Sequence, residues 1–222
     1  MPTPYDDEFY AYTDVQAERS ARGLLPVVQR LVGPQSVLDV GCGRGGWLRI
    51  WRELGAQDLA GVDGDYVDRS RLQIASDEFH AADLSRPLEL GRSFDLVQSL
   101  EVAEHVPEAH ATTFVGNLIH HGDVVLFSAA PPGQGGTGHI NEQPYEFWRD
   151  RFEARGYGLF DAVRDAVSGD RSIEAWYRFN TFLFVNQERA PRLAADLIAH
   201  RIAPGAPIPD VAPLPFRVRK QV

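Results

Sequence analysis

The apolar and polar positions of this chain alternate between two patterns. Short apolar runs of strand length lie at 37–40, 59–63, 94–100 and 123–128. The first three are followed directly by glycine or a glutamate, and the fourth by a loop rich in alanine, proline and glycine. Runs of this kind fit strands of a parallel sheet that is covered on both faces. Helically spaced apolar positions separate them. This alternation predicts an α/β fold with a parallel sheet and helices on both faces.

The remaining pattern predicts the other elements of one domain. Helices are predicted over 14–32, 45–54, 108–119, 144–155 and 186–202, with a further helix opening at Gly64, and strands over 79–84, 158–163 and 176–185. Residues 1–13 show no period and are either a partly ordered arm or a lid over a ligand. The Pro-rich segment from 203 cannot be helical. We therefore expect a single domain over 1–202 and a C-terminal tail over 203–222.

The turn after the first strand carries candidate binding chemistry. Gly41, Gly43 and Gly46 match G-x-G-x-x-G, a loop whose backbone can approach a ligand closely. Asp39 lies just before this loop, where its carboxylate would repel a dinucleotide pyrophosphate and attract an ammonium or sulfonium group. S-adenosylmethionine (SAM) carries both of these positive groups and an adenosine. The turn therefore favours SAM over a dinucleotide.

Further carboxylates follow the other predicted strands. Asp63 ends the second strand roughly 20 residues after the glycine turn, a spacing at which a carboxylate can bind ribose hydroxyls. Ligands of parallel sheets gather at the carboxyl ends of the strands. We therefore expect Asp63, Asp83, Glu101 and the loop 129–143 at one edge of the sheet with Asp39.

The composition and net charge of the chain limit the classes of binding partner that we expect. A net charge of −9 argues against a nucleic-acid backbone as the main partner, and the basic segment 217–220 is too short to reverse this. No apolar run approaches membrane-spanning length, and the acidic N-terminus is unlike a signal peptide. A single cysteine, Cys42, excludes an internal disulfide framework. We expect a cytoplasmic protein with a small-molecule partner, and a homodimer is one alternative for its assembly.

Together these motifs resemble class I SAM-dependent methyltransferases over about residues 15–185. The segment 37–43 is similar to the family's first motif, Asp63 to its ribose-binding acid, and Asp83-Leu84 to the pair that flanks adenine. Residues 99–101 resemble the segment beneath the methionine part. The resemblance implies a Rossmann-like, doubly wound sheet of seven strands, mostly parallel, with the seventh strand antiparallel between the fifth and sixth. The expected cofactor-binding residues are Asp39, Gly41, Cys42, Gly43, Asp63, Gly64, Asp83, Leu84, Ser99, Leu100 and Glu101.

A narrower resemblance concerns the reaction. Residues 61–67, 99–106 and 127–143 resemble small bacterial methyltransferases found with glycan or natural-product genes. This implies methyl transfer to a small polar acceptor, such as a sugar, a glycan precursor or a natural-product intermediate, at oxygen or nitrogen. Two alternatives stay open: an enzyme that cleaves or cyclises SAM on the same fold, and a non-catalytic SAM-binding module.

The candidate general base is a histidine. His139 follows a glycine-rich loop at the mouth of the expected site, and imidazole titrates near neutral pH. His105 is the second candidate for the base. Glu142 is expected to orient an acceptor.

A metal site is an alternative use of the same region. Glu101, Glu104 and His105 have the spacing of one helix face, where they can complement the dipole or, with His139, bind a divalent metal. This pattern resembles the metal ligands of RNA 3′-terminal ribose 2′-O-methyltransferases and of ubiquinone-pathway O-methyltransferases. Two carboxylates and two imidazoles suit Mg²⁺, Mn²⁺ or Fe²⁺. The same string also occurs in methyltransferases without metal, so SAM is the expected cofactor and a metal only an alternative.

Overall fold

The computed structural model describes the backbone of residues 7–210 and 212, and the side chains from residue 15 onward within these ranges. The helices are α1 (Asp7–Val32), α2 (Gly46–Glu53), α3 (Ala111–His121), α4 (Tyr145–Glu153), α5 (Ala162–Val167), α6 (Ala175–Asn180) and α7 (Pro191–Asp196). The strands are β1 (Ser36–Val40), β2 (Asp58–Asp63), β3 (Phe79–Ala81), β4 (Leu96–Leu100), β5 (Val124–Ser128), β6 (Tyr157–Phe160), β7 (Phe182–Asn186) and β8 (Arg201–Ile202).

The strands form one sheet with the order β3-β2-β1-β4-β5-β7-β6-β8. The first five strands are parallel, and β7 runs antiparallel to both β5 and β6. The predicted Rossmann-like sheet is confirmed, with its antiparallel strand in the expected place. The strand count differs by one because β8 pairs with the edge of β6. Two residues are too short to show a period in the sequence.

Buried side chains lie on both faces of the sheet. Successive residues of a strand point to opposite faces, so Val37 joins the cluster beneath α1 and α2, which includes Trp51. Leu38 joins the cluster beneath α3 and α4, which includes Trp148. This two-sided burial explains why β1 reads as a continuous apolar run. No helix in the described part of the chain has the length and hydrophobicity to cross a membrane.

Two predicted helices, one opening at Gly64 and one over 186–202, differ from the structure. No α-helix follows Gly64: residues 64–78 form turns, including 3-10 turns at Arg69–Arg71 and Ser76–Glu78. Asp68 accepts hydrogen bonds from the backbone and hydroxyl of Ser70, and such local bonds compete with helix formation. The predicted helix over 186–202 is limited to α7. The side-chain oxygen of Asn186 accepts hydrogen bonds from the backbone amides of Glu188 and Arg189, and these bonds close a turn before α7 begins.

The aromatic stretch predicted as a strand over 176–185 is divided. Its first half is α6, and only its second half is β7. Arg164 donates to the carbonyl of Phe179 and so holds the end of α6 against α5, a helix that the predicted strand over 158–163 missed. Tertiary contacts therefore override the strand preference of aromatic residues.

The chain ends show smaller differences. Helix α1 begins at Asp7, so the predicted start at Asp14 is wrong. The predicted lid remains a prediction, since residues 1–6 and the side chains of 7–14 lie outside the described residues. From 203 to 210 the chain has neither helix nor strand, and most of the predicted tail after 210 lies outside the description as well.

Candidate functional site

A cleft of about 840 Å³ lies at the carboxyl edge of the parallel strands. It is lined by the residues that follow β1, β2, β3 and β4, together with Tyr177 from α6. Among the predicted residues, the cleft is lined by Asp39, Gly41, Cys42, Gly43, Asp63, Gly64, Asp83, Leu84, Leu100, Glu101 and His105. Ser99 is fully buried and does not line it, because its hydroxyl donates to the carbonyl of Val40 at 2.7 Å.

The glycine turn wraps onto the end of β2. The amides of Gly41 and Cys42 donate to the carbonyl of Val62 at 2.7 and 3.1 Å. Gly41 has φ +88°, and a Cβ there would lie 2.4 Å from a methyl group of Val102. Gly43 has φ +53°, and a Cβ there would meet nothing within 4 Å. The first glycine is therefore needed for packing, whereas the second leaves the backbone open to a ligand.

We expect Gly41→Ala to destabilise the protein more than Gly43→Ala. Both variants place a Cβ on a left-handed residue, which costs about 1–2 kcal/mol. Only Gly41→Ala also overpacks the Val102 contact, which adds about 1–3 kcal/mol. Urea denaturation of both variants checks this, and equal losses in the free energy of unfolding would contradict the packing argument.

Asp39 is a buried carboxylate that lines the cleft. It is 3% exposed, and its Oδ2 has no hydrogen-bond partner among the described residues. Burial raises its pKa to about 7, the charge of Asp63 adds to this, and the neighbouring Gln98 amide partly opposes it. A buried carboxylate is costly unless it is paired. A cationic ligand in the cleft would supply the missing partner.

Asp63 is also buried, and both of its oxygens accept hydrogen bonds. Its Oδ2 accepts from the Gly43 amide at 2.7 Å. Its Oδ1 accepts from the Gly64 amide at 2.7 Å and from the Tyr66 hydroxyl at 2.5 Å. Since a carboxylate oxygen accepts about two bonds, a diol that engages both oxygens of Asp63 would take the place of the Tyr66 hydroxyl. Asp63 is thus aimed at the cleft and joined to the glycine turn.

The third carboxylate of the cleft, that of Asp83, is exposed. Asp83 accepts bonds from the backbone and hydroxyl of Ser85, which lower its pKa, and it lies 3.2 Å from Arg86. Leu84 lines the cleft beside it. Cys42 is buried beneath the turn, and burial raises the pKa of its thiol, so it lacks the character of a reactive thiolate.

Glu101 lines the cleft and has an uncommon backbone conformation. Among the described residues other than glycine, it alone has positive φ, at +56°. Its amide donates to the carbonyl and to the hydroxyl of Ser128 at 3.1 and 3.0 Å. A non-glycine residue in this region is strained, and such residues concentrate at functional sites. The next residues form a 3-10 turn at Ala103–His105 rather than an α-helix, so the expected shared helix face is wrong.

His105 is the histidine that lines the cleft. Its Nδ1 lies 3.1 Å from the carbonyl of Gly138. Because a carbonyl only accepts hydrogen bonds, Nδ1 carries the hydrogen and the lone pair of the neutral ring is on Nε2. Burial lowers the pKa of His105, and His139 adds to the effect, so the neutral ring is favoured. A neutral imidazole with one defined basic nitrogen is suited to accept a proton.

His139 lies next to His105 but does not line the cleft. The two rings are edge to face, with centroids 4.9 Å apart. Its Nδ1 lies 2.8 Å from Glu142, and only 12% of its side chain is exposed. Glu142 also accepts from the amides of Gly133 and Gly135 at 2.8 and 2.6 Å. Glu142 therefore ties the glycine-rich loop to His139.

Glu104 is fully buried, and neither carboxylate oxygen has a hydrogen-bond partner within the described ranges. Burial raises its pKa well above the usual range, and the charge of Glu101 adds to this. Ligand atoms of Glu104, His105 and His139 lie within 4.8 Å of one another, a grouping that could hold a divalent cation. Glu101, the fourth expected ligand, instead accepts bonds from Gln134 and Asn180.

Sequence reasoning missed Tyr177, which lines the cleft and packs edge to face against Trp47, with centroids 4.9 Å apart. Burial raises the pKa of its hydroxyl. Its segment was predicted as a strand. The signal that could have found it is the absence of strict apolar–polar alternation in residues 175–180, which disfavours a half-buried strand.

Comparison with known proteins gives one family and many similar folds. A family model described as a methyltransferase domain matches residues 15–162. No curated protein matches the sequence.

Solved structures with this fold come from several bacteria. The sugar N-methyltransferase KedS8 from Streptoalloteichus sp. ATCC 53650 is 20% identical, with a TM-score of 0.64 over 84% of this chain and 94% of that one. Streptomyces venezuelae DesVI is 18% identical, with a TM-score of 0.58 over 81% and 95%. SAM-bound CalS10 from Micromonospora echinaspora, an amino pentose methyltransferase, is 16% identical, with a TM-score of 0.57 over 84% and 99%. At these identities the likeness is one of fold.

Proposed function

Because this chain belongs to the methyltransferase family that its sequence matches, we propose that it transfers a methyl group from SAM to a small polar acceptor at nitrogen or oxygen. The observation that carries the proposal is the buried Asp39 carboxylate, whose Oδ2 has no hydrogen-bond partner in the described part of the chain, in a cleft that also contains Asp63 and Asp83. SAM contains cationic groups, a ribose and an adenine base, each of which can interact with a carboxylate. The three carboxylates of the cleft therefore fit this cofactor.

We assign the three carboxylates to these parts. Asp39 faces the cationic part of the cofactor, because an opposite charge offsets the cost of burying it. Asp63 accepts bonds from the ribose hydroxyls, which replace the Tyr66 hydroxyl on Oδ1. Asp83 accepts from the adenine amine, and Leu84 packs against the base. The backbone of Gly43 gives close access between them.

His105 is the general base that the geometry supports best. When bound, SAM supplies a methyl group on a sulfonium that loses its charge as the methyl leaves. The residues of this chain have to position the acceptor, exclude water and take its proton. His105 lines the cleft with Nε2 as its basic nitrogen, whereas His139 lies behind it against Glu142. His139 thus serves to hold His105 and the glycine-rich loop, although its role as base stays a prediction.

An amine on a sugar or sugar-like natural product is the acceptor that we favour. Two of the similar structures are a sugar N-methyltransferase and an amino pentose methyltransferase. A hydroxyl acceptor would use the same base.

Incubation of the purified protein with SAM labelled at the methyl group tests this function. S-adenosylhomocysteine should form only when an acceptor is added, and amino sugars should give more than the matching hydroxyl sugars. Methylthioadenosine formed without any acceptor would indicate a lyase or cyclase instead. Binding of SAM with neither product across the panel would indicate a binding module.

A second candidate is metal-assisted O-methylation, favoured by the buried Glu104 carboxylate, which lies 3.9 Å from Nε2 of His139. Glu104, His105 and His139 would hold the ion, which as a Lewis acid would lower the pKa of a bound hydroxyl. Dialysis against a chelator, followed by addition of Mg²⁺ or Mn²⁺, separates the two candidates. Full activity after chelation favours the base mechanism.

A further inference from the structure

We propose that Gln134 and Asn180 are positioning residues that hold the Glu101 carboxylate in the cleft to bind the α-ammonium group of SAM. This inference rests on the proposed function, because it names the contact of one part of that cofactor. Neither amide lines the cleft, so both act through Glu101.

The carboxylate is held by two buried amides from separate segments. Gln134, on the loop between β5 and α4, donates from Nε2 to Oε2 of Glu101 at 2.7 Å. Asn180, the last residue of α6, donates from Nδ2 to the other oxygen at 3.1 Å and to the Gln134 carbonyl oxygen at 2.8 Å. These amides are only 4% and 1% exposed. The three side chains thus form a closed set of hydrogen bonds.

The orientation of the Asn180 amide is itself fixed. The Tyr145 hydroxyl donates to its oxygen at 2.8 Å, which turns the NH₂ group toward Glu101 and Gln134. Arg164 donates to the carbonyl of Phe179 and anchors the end of α6. Two amides therefore contact the carboxylate directly, and residues of α4 and α5 hold the second amide and the end of its helix in place.

The chemistry of the donors indicates what Glu101 is held for. Amide N–H groups favour the ionised carboxylate but are neutral, so they do not cancel its charge as an arginine would. The carboxylate follows β4, which pairs with β1, so it lies near the strand end that carries Asp39. SAM has two positive groups, and two carboxylates of the cleft, Asp39 on β1 and Glu101 just after the neighbouring β4, are left for them once Asp63 and Asp83 are assigned to the ribose and the adenine. The strained backbone of Glu101 is consistent with a functional position.

The loop connection adds a consequence for the acceptor side. Gln134 lies on the same loop as His139 and Glu142, so its bond to Glu101 ties that loop to the cofactor end of the cleft.

Two isosteric variants test the proposal by calorimetry. Gln134→Glu and Asn180→Asp keep the accepting oxygen of each side chain but replace the donor to Glu101 with a like charge. The ligands are S-adenosylhomocysteine, its decarboxylated aminopropyl analogue, and 5′-methylthioadenosine, which lacks the ammonium. We expect each variant to lower the affinity for S-adenosylhomocysteine and for its aminopropyl analogue by about tenfold or more, the scale of a lost charge-assisted hydrogen bond. The affinity for 5′-methylthioadenosine should fall by less than about twofold, because this ligand has no ammonium group.

The controls separate positioning from folding. Asn186→Asp makes the same change in a buried amide at the other end of β7 and should leave all three affinities unchanged. Glu101→Gln should show the same ligand pattern, and adding Asn180→Asp to it should cause no further loss, because both act at one contact. Melting curves verify folding; if Asn180→Asp does not fold, Gln134→Glu alone carries the test.

Two outcomes would overturn the proposal. One is an equal loss of affinity for all three ligands in a folded variant, and the other is an unchanged affinity for S-adenosylhomocysteine. Failure of the proposed function is distinguishable, since the wild-type protein would then form no S-adenosylhomocysteine from SAM with any acceptor, whichever of the three ligands it binds.

Discussion

Replacing Asp39 with asparagine should abolish measurable SAM binding and, at the same time, stabilise the ligand-free protein at pH 8. The carboxylate is buried, and none of the described residues donates a hydrogen bond to its Oδ2, so the ligand-free protein bears the cost of its charge. A bound cation offsets that cost, and asparagine cannot attract the cation. A loss of binding by about a hundredfold or more is the scale expected for removing one partner of a buried charge pair.

The gain in stability should depend on pH. Burial raises the pKa of Asp39 to about 7 in the folded protein, against about 3.9 in an unfolded chain. Between these values the folded state holds a proton that the unfolded state has lost. Stability of the wild type therefore falls as the pH rises through this window, by up to about 4 kcal/mol, and stays reduced above it.

Calorimetry with SAM and melting curves at pH 4 and pH 8 measure both effects. The melting temperature of Asp39→Asn should exceed that of the wild type at pH 8 and match it closely at pH 4. The matched control is Asp58→Asn. Asp58 is an exposed carboxylate on β2 that pairs with Arg92, and its substitution should change neither the SAM affinity nor the difference in melting temperature between the two pH values. An unchanged SAM affinity in Asp39→Asn would refute the assigned role.

Replacing His105 with alanine should lower turnover by about 10²–10⁴-fold, the usual contribution of a general base, while SAM affinity changes by less than about twofold. The reason is geometric. His105 lines the cleft, and its bond to the Gly138 carbonyl leaves Nε2 as the basic nitrogen. Steady-state kinetics with a saturating acceptor, together with calorimetry, separate the two quantities.

The matched comparison is His139→Ala. If His139 only supports His105 and the loop, this variant should retain more turnover than His105→Ala and should raise the KM for the acceptor, because Glu142 loses its imidazole partner. If His139→Ala is the more damaging variant in turnover, His139 is the base and the assignment to His105 fails.

The cofactor side of the site could be predicted because its signals are local. A glycine turn after a buried strand, and a carboxylate at the next strand end, lie within a few residues of the elements that position them. The sequence therefore placed Asp39, Gly43 and Asp63 in one cleft, as the structure does.

The geometry around Glu101 and Tyr177 could not be predicted because it is set by distant contacts. The turn of Glu101 out of a helical path depends on Ser128, and the helical form of α6 depends on Arg164. Aromatic residues such as Tyr177 favour strands in isolation. Spacing alone therefore grouped Glu101 with Glu104 and His105, whereas the structure groups Glu104 and His105 with His139 and places the Glu101 carboxylate against Gln134 and Asn180.

Insertion of β7 between β5 and β6 delays completion of the sheet during synthesis. The strands β1 to β5 can pair as they emerge, but β5 and β6 have no direct pairing and remain unjoined until Phe182–Asn186 is made. Such non-local pairing slows folding and leaves strand edges exposed in the meantime. Since Asn180 lies two residues before the start of β7, its hydrogen bonds to Glu101 and Gln134 form at the same late stage. A chain truncated before β7 would hold the glycine turn but neither the finished sheet nor a fixed Glu101.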